Sequence, residues 1–301
     1  MSSFRRRLMM VQGDGGDDSL LDGKYQIVAD ILNCFLSTDY GNSFSRLDLS
    51  IGAPSISISK NGKYCLVTGS GLCYLSSDFF QTFNENTFVT SAIISAVSSD
   101  GKYQTVGADD GYVYTSNDYG ETFEQEYISD TGLSGLSMSR DGKYQIIGDA
   151  SRIYISNNYG RSWAASEAIS GVVYSSAISK DGKYQIVSTE NEGLYISSDY
   201  GKTWNVRIEF SGPSDMSSDG KIIVTSTGKS LYISKDYGKT FKKVKETTSF
   251  IQWVSVSSTG KYQIYQFGNA LYLSSDYGKT MNYKDIRWYD ASHCHSSCMN
   301  K

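Results

Sequence analysis

Along most of the chain, apolar and polar residues alternate in short runs, and turn-forming glycine, aspartate or asparagine separates the runs. Residues 175–206 show the pattern. "SSAIS" predicts a strand, "KDG" a turn, "KYQIVST" a second strand and "ENEG" a loop. "LYISS" then predicts a third strand, "DYGK" a turn and "TWNVR" a fourth. This is a unit of four antiparallel strands joined by hairpins. Strong helical patterning is absent throughout.

The unit recurs. "DGKYQ" stands at Asp22, Asp100, Asp141 and Asp181, with "NGKYC" at Asn61, "DGKII" at Asp219 and "TGKYQ" at Thr259. The glycines of these phrases are spaced by 39, 39, 41, 40, 38 and 40 residues. A second phrase, "SSDYGKTW" at Ser197, has its third position at Asp39, Asp78, Asp118, Asn158, Asp199, Asp236 and Asp276. A period near 40 with four strands per unit predicts propeller blades. The expected fold is all-β: one seven-bladed β-propeller of four-stranded antiparallel blades over residues 16–301, preceded by a flexible tail, residues 1–15.

Turn chemistry explains the repetition. Asp-Gly favours a tight hairpin because glycine tolerates positive φ. In the second phrase the aspartate can accept amide protons across its own bend, and the closing aromatic residue can bury against the blade. Seven such side chains in phase, six aspartates and Asn158, are therefore expected to brace hairpins. Phe80 replaces the glycine of one copy, so that turn must adjust or bear strain.

These phrases resemble the Asp-box, or bacterial neuraminidase repeat, family of β-propellers, whose motif Ser-x-Asp-x-Gly-x-Thr-Trp lies between the third and fourth strands of a blade. Members include sialidases, some xyloglucan-cleaving enzymes, sortilin-like receptors and a photosystem assembly factor. The resemblance implies a structural motif remote from any catalytic centre, and it implies fold far more than activity. Sialidases of the family clamp substrate with three arginines, and use a Tyr–Glu nucleophile pair and an aspartate acid/base. Here Arg5, Arg6 and Arg7 cluster at the N-terminus, and Arg46, Arg140, Arg152, Arg161, Arg207 and Arg287 are dispersed. Arg140 lies in a first turn and Arg161 in an Asp-box, and neither is expected to point to a central pocket.

Composition narrows the function classes. With 28 basic and 32 acidic residues the net charge is −4, which supplies no broad basic field for nucleic acid or an anionic membrane. No run approaches a membrane span of roughly 20 apolar residues. Leu8 to Val11 is too short for a signal peptide core, so an unsecreted, cytoplasmic or virion-associated protein is expected.

Five cysteines argue against a paired disulfide framework. Cys34 and Cys73 sit at a recurring apolar position, and a Cys65–Cys73 bridge is conceivable but unnecessary. The first blade lacks an inner strand in sequence. Residues 290–297 are expected to supply it, in better phase than the alternative, Arg7 to Gln12. Closing the ring in this way would remove its open edges. His293, Cys294, His295 and Cys298 are zinc-capable, but strand alternation sends neighbours to opposite faces, so packing is expected and no metal or cofactor site.

Both recurring turns fall at one end of each blade. The other end carries the variable loops, where private recognition is expected. Asp110, Tyr112, Arg152, Tyr174, Glu192 and Trp253 are the candidate partner-binding residues. The leading expectation is a non-catalytic binding or assembly scaffold for a protein or glycan, including a viral structural or attachment component. The alternative is a glycoside hydrolase, for which Asp30, Asp109, Asp110, Asp130, Asp149, Glu190 and Glu192 supply loop carboxylates. A structural subunit is a third reading.

Overall fold

The computed structural model describes residues 26–29, 34–38, 43, 45–47, 49, 51, 55–190, 192–209, 212–267 and 270–284. Every named element within them is a strand, and the strands form seven antiparallel sheets in chain order. The first sheet has three strands, Gln26–Ala29, Cys34–Ser37 and Ser45–Leu47. The other six have four each. The second is Ser55–Ile58, Cys65–Gly69, Leu72–Ser76 and Asn84–Glu85. The third is Ala92–Val97, Gln104–Ala108, Tyr112–Ser116 and Glu124–Tyr127. The fourth is Ser134–Met138, Gln145–Gly148, Arg152–Ser156 and Ala164–Ser170. The fifth is Val173–Ile178, Gln185–Thr189, Gly193–Ser197 and Asn205–Ile208. The sixth is Ser214–Met216, Ile223–Thr227, Ser230–Ser234 and Lys242–Glu246. The seventh is Ile251–Val256, Gln263–Phe267, Ala270–Ser274 and Asn282–Lys284. The inner strands expected for the first sheet, residues 290–297 or Arg7 to Gln12, lie outside the described residues, as does the His293–Cys298 cluster.

The core lies between sheets. Second strands such as Gln185–Thr189 are buried along their whole length, because both faces of the sheet are covered. Neighbouring residues therefore serve different cores. Ile147 packs with Ile94, Ala96, Val113 and Leu133, towards the third sheet. Ile146 packs with Val173 and Val187, towards the fifth. Burying each such isoleucine contributes up to about 2–3 kcal/mol.

The same alternation settles the cysteines. Cys65 packs against Ile56 and Ile58, whereas Cys73 packs against Val89, Ala92 and Val106. The Cys65–Cys73 bridge considered from sequence is not made: the two buried thiols join cores on opposite faces of one sheet. Burial pushes the Cys73 thiol up to about 12.

The first-turn tyrosines Tyr64, Tyr103 and Tyr184 pack between sheets. Tyr103 stacks on Tyr159 of the next sheet with ring centroids 4.5 Å apart, and Tyr184 on Tyr237 at 4.7 Å. Tyr64 and Tyr119 stack at 5.1 Å. The glycine of the following turn makes room for the ring: a Cβ on Gly101 would lie 2.1 Å from Tyr64 Cδ2, and Gly101 also has φ of +86°. Glycine is thus required twice over, by backbone and by space. The recurring glutamine, whose role the sequence did not reveal, closes the turn: Gln185 Nε2 donates to the Gly182 carbonyl at 3.0 Å.

Candidate functional site

Among the described residues, each Asp-box is a closed local network, and Asp236 illustrates it. Ser234 Oγ donates to Asp236 Oδ1 at 2.7 Å, and the Thr240 amide donates to the same oxygen at 2.9 Å. Thr240 Oγ1 donates to Oδ2 at 2.6 Å, and the Gly238 amide donates to Ser234 Oγ at 2.9 Å. The Thr240 hydroxyl and amide hold the Asp236 carboxyl at about 2. At Asp276 the Thr280 amide and hydroxyl do the same, again to about 2. Asn158 keeps the geometry with one bond reversed, its Nδ2 donating to Ser162 Oγ at 2.9 Å. Phe80 resolves the choice between adjustment and strain in favour of strain. Its φ is +69°, and its amide still donates to Ser76 Oγ at 3.1 Å. These carboxylates are spent on their own bends and do not converge.

The opposite end carries the six candidates, on four sheets. Asp110 and Tyr112 are brought together within one loop, where the Tyr112 amide donates to Asp110 Oδ1 at 3.4 Å. Arg152 forms an exposed pair with Glu167 at 3.4 Å. Glu192 Oε2 accepts from Ser170 Oγ at 2.6 Å and from Tyr195 OH at 3.0 Å. Tyr174 is half-buried where the pairing of Val173–Ile178 shifts register, and Trp253 is half-buried at a like shift in Ile251–Val256. Such bulges re-aim side chains.

Asp149, one of the loop carboxylates, is a buried brace. It accepts from Ser129 Oγ at 2.8 Å, the Ser151 amide at 2.6 Å, the Arg152 amide at 2.8 Å and Tyr154 OH at 3.0 Å. Burial pushes its carboxyl up, but those four donors outweigh burial and hold it below the usual carboxylate range.

Sequence reasoning missed two further features. The first is an aromatic row on the third sheet. Phe88 meets Tyr114 edge-on at 5.9 Å, Tyr114 lies 6.4 Å from Tyr112, and Tyr112 lies 5.2 Å from Tyr127. Phe88 and Tyr127 are each 52% exposed, and Tyr127 OH donates to Asp130 at 2.7 Å. The cross-strand pairing of Tyr112 with Tyr127 is what joins them, and that depends on a register not written in either strand alone.

The second is at the turn end. Main-chain bonds link successive first turns, from the Lys60 amide to Ser99 O, Ser99 to Arg140 O, Arg140 to Lys180 O, Lys180 to Ser218 O and Ser218 to Ser258 O. Above this belt opens a depression of about 510 Å³ lined by Lys60, Asn61, Ser99, Asp100, Arg140, Asp141 and Lys180. Arg140 was not expected at a pocket; it lines this one, because the belt draws the residues before each Asp-Gly to the inner rim. Its cationic companions are lysines, so no arginine triad forms there. The available signal was the position before the turn, which is Lys60, Ser99, Arg140, Lys180, Ser218 and Ser258 in successive units.

Residues 231–244 match the family model of the BNR-Asp box repeat. No curated protein sequence matches the chain. Among solved structures, the GH74 xyloglucanase from Xanthomonas campestris is similar with a TM-score of 0.69 at 12% identity, over 91% of this chain and 54% of the enzyme. This chain thus spans about half the length of that protein. The β-propeller domain of Cps50 (Swd1) from Myceliophteria thermophila also gives 0.69, at 10% identity over 91% of this chain and 98% of that one. YCF48 bound to D1 peptide gives 0.60 at 12% identity, over 92% and 96%. At these identities the likeness is one of fold.

Proposed function

We propose that this chain, whose residues 231–244 match the BNR-Asp box repeat and whose sheets are similar to those of solved β-propellers, works as a non-catalytic binding or assembly scaffold for a protein or glycan. The observation that carries the reading is the engagement of the loop carboxylates. Glu192, Asp149, Asp130 and Asp110 each accept a hydrogen bond from a residue two or three positions away, which suits loop bracing better than acid/base work. The exposed Phe88–Tyr127 row supports contact by burial of aromatic surface. Both roles have precedent on similar folds: one similar structure is a xyloglucanase and another holds a bound peptide. Hydrolysis of a glycan is the second reading.

The proposal includes a seven-bladed ring whose first blade is completed by residues 290–297, and a cytoplasmic or virion-associated setting. Among the described residues, no helix is long and apolar enough to cross a membrane. The test is a panel of oligosaccharides and peptides, assayed in parallel for equilibrium binding and for release of reducing ends. Binding without turnover, weakened at least about tenfold by joint replacement of Tyr112 and Tyr127 with alanine, is expected. Turnover abolished by Asp110→Asn or Glu192→Gln would establish the hydrolase instead. For the ring, deletion of residues 285–301 should speed amide exchange at Gln26–Ala29; unchanged exchange would reject closure by the tail.

A further inference from the structure

Charge is unevenly divided among the sheets. From Ala92 to Tyr127 the third sheet and its turns carry seven carboxylates and one lysine. From Ser214 to Glu246 the sixth carries seven lysines and four carboxylates. The imbalance is sharpest on the last strand of each, which ends its sheet. Glu124-Gln125-Glu126-Tyr127 is exposed throughout, and Lys242-Lys243-Val244-Lys245-Glu246 is exposed except at half-buried Val244. Lys243 is paired with Glu246 at 2.7 Å. Among the described residues, Lys242 and Lys245 have no carboxylate partner, and Glu124 and Glu126 have no cationic one.

Each rim also carries an exposed aromatic ring at the variable-loop end. On the acidic rim it is Tyr127, 52% exposed; beyond the basic strand it is Phe250, 67% exposed, with Lys229 Nζ 5.9 Å from its ring centre. Charged edge strands ordinarily guard against strand addition, and either sign would serve that purpose. Guarding does not call for opposite signs three sheets apart, nor for an aromatic ring beside each.

We propose that these two rims dock on one another between copies of this chain, acidic third sheet to basic sixth. Like rims repel, so a twofold dimer through either rim is disfavoured and the contact is heterologous, head to tail. Tyr127 and Phe250 are the anchors that lose water, and the charges set orientation and approach. The register shift opposite Leu231 and Tyr232 bends the basic strand, so side chains rather than a continuous β-ladder make the contact. This inference shares Tyr127 with the loop-end aromatic row but rests on the charged strands, so the charge-reversal variants test it whether or not the loop end binds a glycan or protein.

Sedimentation velocity on the full chain tests it, across a concentration series at about 20 mM and about 500 mM salt. Expected is concentration-dependent growth at low salt that collapses at high salt. The double variant Glu124→Lys, Glu126→Lys and the double variant Lys242→Glu, Lys245→Glu should each remain monomeric, and their equimolar mixture should associate. Tyr127→Ser should weaken association at least about tenfold. Arg161→Glu with Lys202→Glu, an equal change of charge at the turn end, should leave association unchanged. Circular dichroism confirms that each variant is folded. A monomer at every concentration in low salt overturns the proposal, and so does association that the turn-end variant alters as much as the rim variants.

Discussion

At the scale of single residues, one Asp-box separates backbone strain from packing. Phe79 and Phe80 both hold left-handed backbone, at φ +61° and +69°, a conformation that costs a non-glycine residue about 1 kcal/mol or more. They differ in what their rings gain. Phe80 is 7% exposed and packs with Ile51, Ile56, Ile58 and Val67, a burial that contributes about 2–3 kcal/mol. Phe79 is 46% exposed. Replacing Phe80 by glycine should therefore destabilise by about 1–2 kcal/mol, because lost burial exceeds relieved strain. Phe79→Gly should be neutral or stabilising by up to about 1 kcal/mol. Urea midpoints measured on the two variants check the pair, and the same sign for both would mean that one term governs both sites. Sequence showed that Phe80 breaks the motif. It could not show which way the break was absorbed, since that depends on the second-sheet core the ring enters.

At the scale of the element, the Asp-box turn is an acid-sensitive part. Asp236 and Asp276 have carboxyls held at about 2 in the folded chain by the hydroxyl and amide of the threonine four residues on. In the unfolded chain an aspartate titrates near about 3.9. The folded value is the lower, so the unfolded chain takes up protons first as pH falls. These turns contribute fully above about pH 4, and the contribution is lost as pH drops towards about 2. Thermal midpoints should fall across that window and stay level, as far as these groups are concerned, from about pH 5 to 7. Asp236→Asn should flatten the acid limb while keeping the turn, as Asn158 with Ser162 does; an unaltered limb would exclude this carboxyl as its source. Strands and turns of this kind were legible from sequence because their causes are local: alternation, a glycine, and an aspartate within reach of its own amides. The joining of Tyr112 to Tyr127 and the buried role of Asp149 were not legible, because each needs the register of another strand or loop.

At the scale of the whole molecule, the repeat period predicted a series of antiparallel sheets and the structure has it, since each unit repeats the same local instructions. Six sheets are four-stranded and the first shows three strands among the described residues. Less of the candidate site was legible. The six candidate residues are spread over four sheets, and the depression at Lys60, Arg140 and Lys180 exists only because the main-chain belt gathers successive first turns. Contacts between sheets run from neighbour to neighbour, as in a stacked array, so damage at one joint should spread only locally. Gly182 provides the test. Its φ is +80°, and a Cβ there would lie 2.1 Å from Tyr144 Cδ2 of the preceding sheet. Gly182→Ala should cost about 2 kcal/mol or more, combining left-handed strain with a pushed ring. Amide exchange should quicken in the second strands on both sides of the joint, Gln145–Gly148 and Gln185–Thr189, while Gln263–Phe267 two sheets further on stays protected. Uniform acceleration across all three would mean that the sheets open as one cooperative ring, with coupling between neighbours strong enough to carry a single joint's strain around it.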